Sequence, residues 1–231
     1  MKRIRIGKKF MILCLAGSFC MMLLSGCGDK KNQDSKAEGT AQTGAESTVQ
    51  SDTAQDGVAQ TDGELLTGKH HVNIHIKDMG TISVELDADS APVTVTNFMK
   101  LAEEGFYDGL TFHRIIDGFM MQGGDPLGNG TGGSENTITG EFSENGVDNP
   151  LSHTRGAISM ARSQDYNSAS SQFFIMHQDN TYLDGEYAAF GYVTEGMDIV
   201  DDICENTTGQ DINGIVPAEN RPVIESVEVV D

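Results

Sequence analysis

Residues 112–125 read FHRIIDGFMMQGGD and place one arginine, Arg114, within an otherwise apolar segment. A guanidinium is always charged and presents several N–H donors in one rigid plane, so it can donate to two neighbouring atoms of a bound group. Arg114 is one of only seven basic residues from Lys69 onward. On this segment alone, an arginine that reaches solvent or pairs with an acid is the commoner situation. The rigid charge of Arg114 in an apolar segment nevertheless makes it a candidate for non-covalent, electrostatic chemistry.

Other catalytic or ligand-binding patterns are absent from the sequence. It has no nucleophile elbow and no metal-ligand cluster of the kind that indicates a hydrolase or a protease. His70, His71 and His75 lie close together, but no cysteine or further histidine is spaced to complete a metal site, so a solvated strand edge is expected. The Gly-rich run 128–133 lacks the Lys-Ser/Thr of a phosphate loop, which argues against nucleotide binding. We therefore expect neither a metal ion nor a cofactor.

Charge and cysteine content narrow the class of protein. The 231 residues carry a net charge of −20, although the first nine positions hold five basic residues. The remainder is more acidic still and would be repelled by phosphate backbones, which argues against nucleic-acid binding. Only Cys204 lies beyond the N-terminal segment, so we expect no internal disulfide and a buried, inert thiol.

The first 26 residues have the pattern of a secretory signal, in which a basic start precedes the apolar run 10–24. That run is shorter than the roughly 20 residues that a membrane-spanning helix needs. The tetrapeptide LSGC at 24–27 resembles a bacterial lipoprotein cleavage box. The resemblance implies that Cys27 is diacylated, because two acyl chains hold a protein stably on a membrane. An uncleaved signal anchor with an incidental cysteine is the alternative.

Residues 27–68 are predicted to be the lipidated cysteine followed by a disordered linker. The stretch is rich in small, polar and acidic residues, and it has no aromatic residue. Such a sequence cannot bury enough apolar surface to offset its chain entropy. A tether of this length reaches on the order of 35 Å. The folded domain is expected over 69–231.

Within that domain, short segments alternate polar and apolar residues, as strands with one buried face do. The predicted strands are 71–76, 81–86, 111–116, 119–123, 157–161, 172–177, 189–193 and 223–229. One helix is predicted from the cap Ser90 through Pro92 to Gly105, and a second from Met197 to about Cys204. Seven or eight strands with Gly-rich turns and two helices favour an all-β fold, a closed antiparallel barrel with two helices.

Four separated blocks carry a resemblance to a known family. They are FHRIIDGFMMQGGD at 112–125, GAISMAR at 156–162, SSQFFI at 170–175 and LDGEYAAFG at 183–191. In sequence and order they closely resemble the cyclophilin family of peptidyl-prolyl cis–trans isomerases, from about residue 70 onward. The resemblance implies an eight-stranded antiparallel β-barrel closed by two α-helices. It also implies a usually monomeric enzyme that needs no cofactor and acts on proline-containing peptide segments.

The implied reaction makes and breaks no bond. The prolyl amide has a rotational barrier of about 18–20 kcal/mol, which arises from amide resonance. At the twisted transition state the lone pair returns to the prolyl nitrogen, so a fixed donor aimed there is strongest at that point. The resemblance assigns this catalytic role to Arg114. It implies a substrate-binding set of His113, Phe119, Met120, Gln122, Ala161, Arg162, Gln172, Phe174, Tyr182, Leu183 and Tyr187.

The resemblance also implies how these residues divide the work. Phe119, Met120, Phe174 and Leu183 form the proline pocket, Gln122 orients the arginine, and Gln172 lies on the rim. Ala161 and Arg162 pair with an extended peptide through their backbone. His113 is predicted to be a wall of the groove and not an acid or base, because this chemistry moves no proton.

Several positions depart from the familiar eukaryotic pattern. Tyr182 stands where many eukaryotic relatives have Trp, and Tyr187 stands where they have His. These changes resemble bacterial members and put high-affinity cyclosporin binding in doubt. The loop 128–133 is one residue shorter, and it borders the pocket for the residue two before proline, with Ser163 opposite. The preference of that pocket stays open.

The sequence thus predicts an isomerase that assists the folding of exported proteins outside the cytoplasm, anchored by lipid to a bacterial cell membrane. The alternative is a chaperone or scaffold that holds proline-containing peptides with little turnover. Retention of Arg114 beside an intact pocket favours the enzyme, because a pure binder has no need of that arginine. A surface adhesin is a weaker third hypothesis, supported only by the expected location.

Overall fold

The computed structural model describes residues 63–231. The predicted signal peptide, Cys27 and most of the predicted linker lie outside the described residues. Within the described part, no helix combines the length and the apolar character needed to cross a membrane.

Residues 63–231 form eight strands and two α-helices. The strands are β1 (Lys69–Ile76), β2 (Gly80–Asp87), β3 (Arg114–Ile116), β4 (Met120–Gly123), β5 (Ala157–Met160), β6 (Phe173–Met176), β7 (Ala189–Glu195) and β8 (Ile224–Val229). The helices are α1 (Pro92–Glu103) and α2 (Met197–Asn206). The prediction of a mostly β domain with two helices is confirmed, although the predicted strand 111–116 contracts to its last three residues.

All strands join one antiparallel sheet, in the order β3-β4-β6-β5-β7-β2-β1-β8. The predicted closed barrel is wrong, because the sheet curls into a half-barrel and stays open between its edges, β3 and β8. The outer edge of β3 is occupied by a loop instead. Ile115 N donates to Gly214 O at 2.8 Å, and Val216 N donates to His113 O at 2.9 Å. Only isolated bridges, such as Thr111 with Val223, lie between the two edges.

The core follows from the alternation of the long strands. In β1 the residues Val72 and Ile74 are fully buried, while the residues between them reach the other face. Helix α1 inserts Phe98 among Tyr107, Phe173 and Phe190, with ring centroids 4.9–5.4 Å apart. Buried aromatic pairs of this kind add about 0.5–1.5 kcal/mol each beyond their area. This cluster fixes α1 against β6 and β7.

The start of α1 differs from the prediction. Ser90 is not the cap, because the N-cap residue is Ala91 and the Ser90 hydroxyl donates to the Asp87 carboxylate at 3.0 Å. The buried Glu141 carboxylate instead accepts from the backbone N–H groups of Val93 and Thr94, at 2.9 and 2.8 Å. The first N–H groups of a helix have no intrahelical partner and carry partial positive charge, which a carboxylate satisfies. Burial nevertheless raises the pKa of Glu141 above its usual value.

Helix α2 begins after Gly196, which has a φ of 86°, a left-handed conformation that favours glycine. The predicted burial of Cys204 on this helix is confirmed, and burial raises the pKa of its thiol to about 12. The thiol is therefore protonated and unreactive at neutral pH.

Candidate functional site

Arg114 opens strand β3 and lies opposite Gln122 of β4. Its Nε–H donates to the Asn213 carbonyl oxygen at 2.9 Å, and its Nη1 donates to the Gln122 side-chain oxygen at 3.3 Å. Nη1 also lies 3.8 Å from the Met120 sulfur. Partial burial lowers the pKa of Arg114, and no carboxylate of residues 63–231 forms an ion pair with it. The result is a half-buried guanidinium that is held by two hydrogen bonds and has no carboxylate in contact with it in the described part of the chain.

A chain of side-chain amides continues from this guanidinium. Gln122 Nε2 donates to the Gln172 side-chain oxygen at 2.9 Å, and Gln172 Nε2 donates to the Gly132 carbonyl oxygen at 2.7 Å. In each glutamine, the side-chain oxygen accepts a hydrogen bond from the Arg114 side of the chain and the nitrogen donates to the next group. All the hydrogen bonds of the chain therefore run in one direction, away from Arg114. Among the described residues, Nη2 of Arg114 has no hydrogen-bond acceptor. That donor remains for a ligand.

The Asn213 carbonyl is held in place by a tight turn that the sequence reasoning missed. The Asp211 carboxylate accepts from the backbone N–H groups of Ile215 and Asn213, at 2.9 and 2.8 Å. These hydrogen bonds lower the pKa of Asp211, so it stays ionised. The sequence signal was the Asp-x-Asn-Gly composition of 211–214, which is typical of a turn.

Beside Arg114 lies a pocket of about 360 Å³ that combines apolar and aromatic side chains with the polar groups of Arg114, Gln122 and Arg162. Met120, Phe174 and Leu183 are buried in its floor. At the mouth, Phe119 stacks on Tyr182 with ring centroids 6.2 Å apart, and Tyr182 is 65% exposed. Ten predicted site residues line this one pocket: Arg114, Phe119, Met120, Gln122, Ala161, Arg162, Phe174, Tyr182, Leu183 and Tyr187.

The other two predicted residues lie elsewhere. Gln172 lines a second pocket of about 220 Å³, which shares Gln122, Ala161 and Arg162 with the first. His113 is not among the residues that line either pocket, and its predicted place in the wall of the groove stays a prediction. Its side chain is fully buried because neighbouring residues of an extended segment point to opposite faces, and Arg114 takes the exposed one. Burial lowers the pKa of His113, which keeps the imidazole neutral.

Arg162 has a side-chain environment that the prediction did not include. Its guanidinium carbon lies 5.1, 4.9 and 4.8 Å from the ring centres of Phe142, Tyr166 and Tyr187. Its Nε–H donates to the Glu186 carbonyl oxygen at 2.9 Å. The backbone N–H of Arg162 has no acceptor among the described residues. Cation–π contacts thus fix the cation between the two pockets.

A buried histidine supports the pocket floor from behind. His153 Nδ1 lies 2.8 Å from the Asp184 carboxylate, and Nε2 lies 2.9 Å from the Ser159 hydroxyl. This is the order of a Ser-His-Asp triad, but Ser159 is fully buried in β5 and no substrate can reach it. The imidazole instead stacks on Phe174, with ring centres 5.9 Å apart. No sequence motif marked this network, because its members lie on separate segments.

The wall of the smaller pocket is organised by Asp125. Its buried carboxylate accepts from the backbone N–H groups of Leu127, Asn129 and Gly130 at 2.8, 2.9 and 2.6 Å. Burial alone would raise the pKa of Asp125, but these hydrogen bonds hold it below its usual value. The charged carboxylate therefore shapes the loop that carries Gly132.

The histidines of β1 lie on a partly exposed strand. His71 N donates to the Asp231 carboxylate at 2.7 Å, and His70 Nδ1 contacts the same carboxylate. His75 Nε2 lies 3.2 Å from the Glu228 carboxylate. In residues 63–231, no group of three or more His, Cys, Asp or Glu side chains is arranged to hold a metal ion.

Residues 71–229 match the family described as cyclophilin type peptidyl-prolyl cis-trans isomerase. A Bacillus subtilis protein named peptidyl-prolyl cis-trans isomerase B is 49% identical over 123 residues, which are 53% of this chain and 82% of that protein. A Brucella suis protein named probable peptidyl-prolyl cis-trans isomerase is 40% identical over 163 residues, which are 68% of this chain and 82% of that protein.

Solved structures give the same result for the fold. A crystal structure of a cyclophilin type peptidyl-prolyl cis-trans isomerase from Cryptosporidium parvum superposes with a TM-score of 0.62 at 29% identity, covering 71% of this chain and 99% of that one. The same Cryptosporidium protein in the presence of the dipeptide Ala-Pro superposes with a TM-score of 0.61 at 30% identity, covering 70% and 99%.

Asp125→Ala should loosen the loop around Gly130 at neutral pH, because three backbone N–H groups lose their acceptor. We expect protection of these amides from hydrogen exchange to fall roughly 10-fold, as for the loss of one or more net hydrogen bonds. In the wild type the same loss should appear only below about pH 4, as pH falls through the lowered pKa of the carboxylate. Glu135→Ala, on the exposed part of this loop, is the control. Unchanged protection in Asp125→Ala would refute the role.

Proposed function

This chain belongs to the cyclophilin-type peptidyl-prolyl cis-trans isomerase family, and we propose that it accelerates rotation about the bond before proline in exported proteins, with Arg114 as the key donor. One observation carries the proposal. A guanidinium that forms no ion pair within residues 63–231 is fixed at the edge of a pocket of about 360 Å³ with an apolar floor.

The pocket is proposed to hold the proline ring, which is the end of the rotating bond that stays fixed. A proline ring is apolar and lacks an N–H, so it suits a floor of Met120, Phe174 and Leu183. Holding the ring leaves the carbonyl side of the amide to turn. The barrier comes from resonance in that amide, so no nucleophile, base or metal ion takes part in this proposal.

Arg114 supplies the interaction that strengthens during the turn. As resonance is lost, electron density returns to the prolyl nitrogen, and a guanidinium N–H can then donate to it. Two edges of the guanidinium are already used by Asn213 and Gln122, so the Nη2 donor needs little reorganisation. A preorganised donor in a partly desolvated site acts more strongly than one in water.

The peptide segments on either side of the proline must also be bound and oriented by the protein. Ala161 and Arg162 follow the end of β5, and both line the two adjoining pockets. Ala161 N already donates to the Gln172 carbonyl oxygen at 2.9 Å, whereas Arg162 N is open to a ligand within the described structure. We propose that an extended peptide pairs with Arg162 and passes from one pocket into the other.

Arg114→Ala should reduce kcat/KM for an X-Pro tetrapeptide by about 10²–10³-fold, the usual effect of removing a donor to a transition state. Arg114→Lys should recover little of this loss, because an ammonium cannot reproduce a planar donor that is held at two edges. The measurement is isomerase turnover by the purified full chain, with circular dichroism to show that each variant is folded.

Two outcomes would contradict the proposal. Equal turnover by the wild type and Arg114→Ala would remove the arginine from the mechanism. Absence of turnover in a folded wild type that still binds the peptide would favour the alternative function, a chaperone or scaffold for proline-containing segments.

We further propose that the enzyme works outside the cytoplasm, as a monomer anchored to a bacterial cell membrane through lipid on Cys27. The basic start, the apolar run 10–24 and the LSGC sequence at 24–27 support this. The acidic linker up to residue 68 would hold the domain away from the bilayer.

Cys27→Ala should move the protein from the membrane fraction to the soluble fraction of the envelope, or leave the precursor unprocessed, because the acylated residue is lost. Fractionation followed by mass spectrometry of the mature N-terminus measures this. Cys20→Ala, within the apolar run, is the matched control and should stay anchored. A Cys27→Ala protein that is processed and still bound to membranes would overturn the proposal.

A further inference from the structure

We propose that His177 is a positioning residue of the proline pocket, because it sets the peptide orientation of the turn that carries Phe119. The inference rests on the proposed function, in which Phe119 forms part of the pocket wall. His177 follows β6, is buried, and lines neither pocket. It would act on the substrate only through the turn.

The turn between β3 and β4 has the geometry of a type II turn. Phe119 N donates to the Ile116 carbonyl oxygen at 3.0 Å, which closes a four-residue turn. Gly118, at its third position, has a φ of 75°, as a type II turn requires. Type I and type II turns differ by a flip of the central peptide, here the one between Asp117 and Gly118. The direction of the Gly118 N–H therefore reports and decides which form is present.

His177 holds this peptide in one form. The Gly118 N–H donates to His177 Nδ1 at 2.9 Å. The backbone N–H of His177 also donates to the Phe119 carbonyl oxygen at 2.9 Å. One residue thus binds the middle and the end of the turn. A flip of the central peptide would turn the Gly118 N–H away and leave a buried imidazole nitrogen without a donor.

The other ring nitrogen faces a carboxylate. Since Nδ1 accepts a hydrogen bond, the neutral imidazole carries its proton on Nε2. Nε2 lies 3.2 Å from the Asp201 carboxylate, off the direction of a hydrogen bond, so the contact is electrostatic. The Asp117 carboxylate lies 3.5 Å from Nδ1 but is largely exposed. Asp201 therefore favours the tautomer that the turn needs.

Asp201 is itself held in place by Arg155. Arg155 Nη1 and Nη2 donate to the two carboxylate oxygens of Asp201 at 2.6 and 2.8 Å. Arg155 Nη1 also donates to the His177 carbonyl oxygen at 2.7 Å. Arg155, which precedes β5, thus joins Asp201 of α2 to His177, the residue that follows β6. The network runs from Arg155 through Asp201 and His177 to Gly118, and it ends one residue before the pocket.

The network should act on substrate binding more than on the rotation step. Phe119 packs against the buried pocket cluster and stacks with the exposed Tyr182 at the mouth, so its orientation depends on the turn that carries it. A turn that can flip would offer Phe119 several orientations, and binding would have to select one of them. His177 does not contact Arg114, so the donor to the prolyl nitrogen should be unaffected. The expected signature is a raised KM with kcat nearly preserved.

Two amide substitutions separate this role from packing. His177→Asn places a side-chain acceptor where Nδ1 lies, whereas His177→Gln places its amide near Nε2. We expect His177→Gln and His177→Leu to lower kcat/KM by about 3- to 10-fold through KM, the usual effect of one hydrogen bond. His177→Asn should restore most of the activity. Asp202→Asn, an exposed acid on α2, is the control for lost helix charge.

A second readout does not depend on turnover. Hydrogen exchange of the Gly118 amide should be slow in the wild type and in His177→Asn, and fast in His177→Gln and His177→Leu. The inference is overturned if the Gly118 amide stays protected in His177→Leu, or if His177→Asn is impaired as much as His177→Leu. Absence of isomerase activity in the wild type would refute the proposed function, while Gly118 exchange would still decide the role of His177.

Discussion

A half-buried arginine without a counter-ion is the constraint on which the site depends. Removing a charge from water is unfavourable, and a protein usually offsets this with an ion pair. A carboxylate beside Arg114 would also compete for the donors that a substrate needs. The structure offers neutral acceptors instead, the Asn213 carbonyl and the Gln122 side chain. Several features of the fold position these two acceptors beside Arg114.

The open sheet is one such feature. A closed barrel would pair β3 with β8 along its length and would fill the outer edge of β3 with another strand. Here the loop of residues 213–216 occupies that edge, and it brings a backbone carbonyl to the arginine. On the other side, the register of β4 with β6 pairs Gln122 with Phe174, and Gln172, two residues before Phe174, accepts the hydrogen bond from the Gln122 amide. The curvature of the sheet then puts the apolar pocket directly beside the cation.

Periodicity and motif resemblance predicted the strands, both helices and ten residues that line one pocket, because these are local or shared patterns. What they missed depends on contacts between distant segments. The Glu141 carboxylate caps a helix that begins about fifty residues earlier, and sequence gives Ser90 as the better cap. His113 is next to Arg114 in the sequence, and the extended backbone directs its side chain to the buried face. The contacts of Arg162 and His177 likewise arise only when separate loops meet.

The most direct test of this account is to give Arg114 a counter-ion through Gln122→Glu, a change of nearly equal size. Exchange spectroscopy of a labelled X-Pro peptide with the full chain yields both the affinity and the catalysed cis–trans exchange rate. The account predicts binding within about threefold of the wild type and exchange slowed by at least about tenfold, which corresponds to 1.4 kcal/mol. Exchange at the wild-type rate in a folded Gln122→Glu protein would contradict the central claim that an unpaired guanidinium drives the rotation.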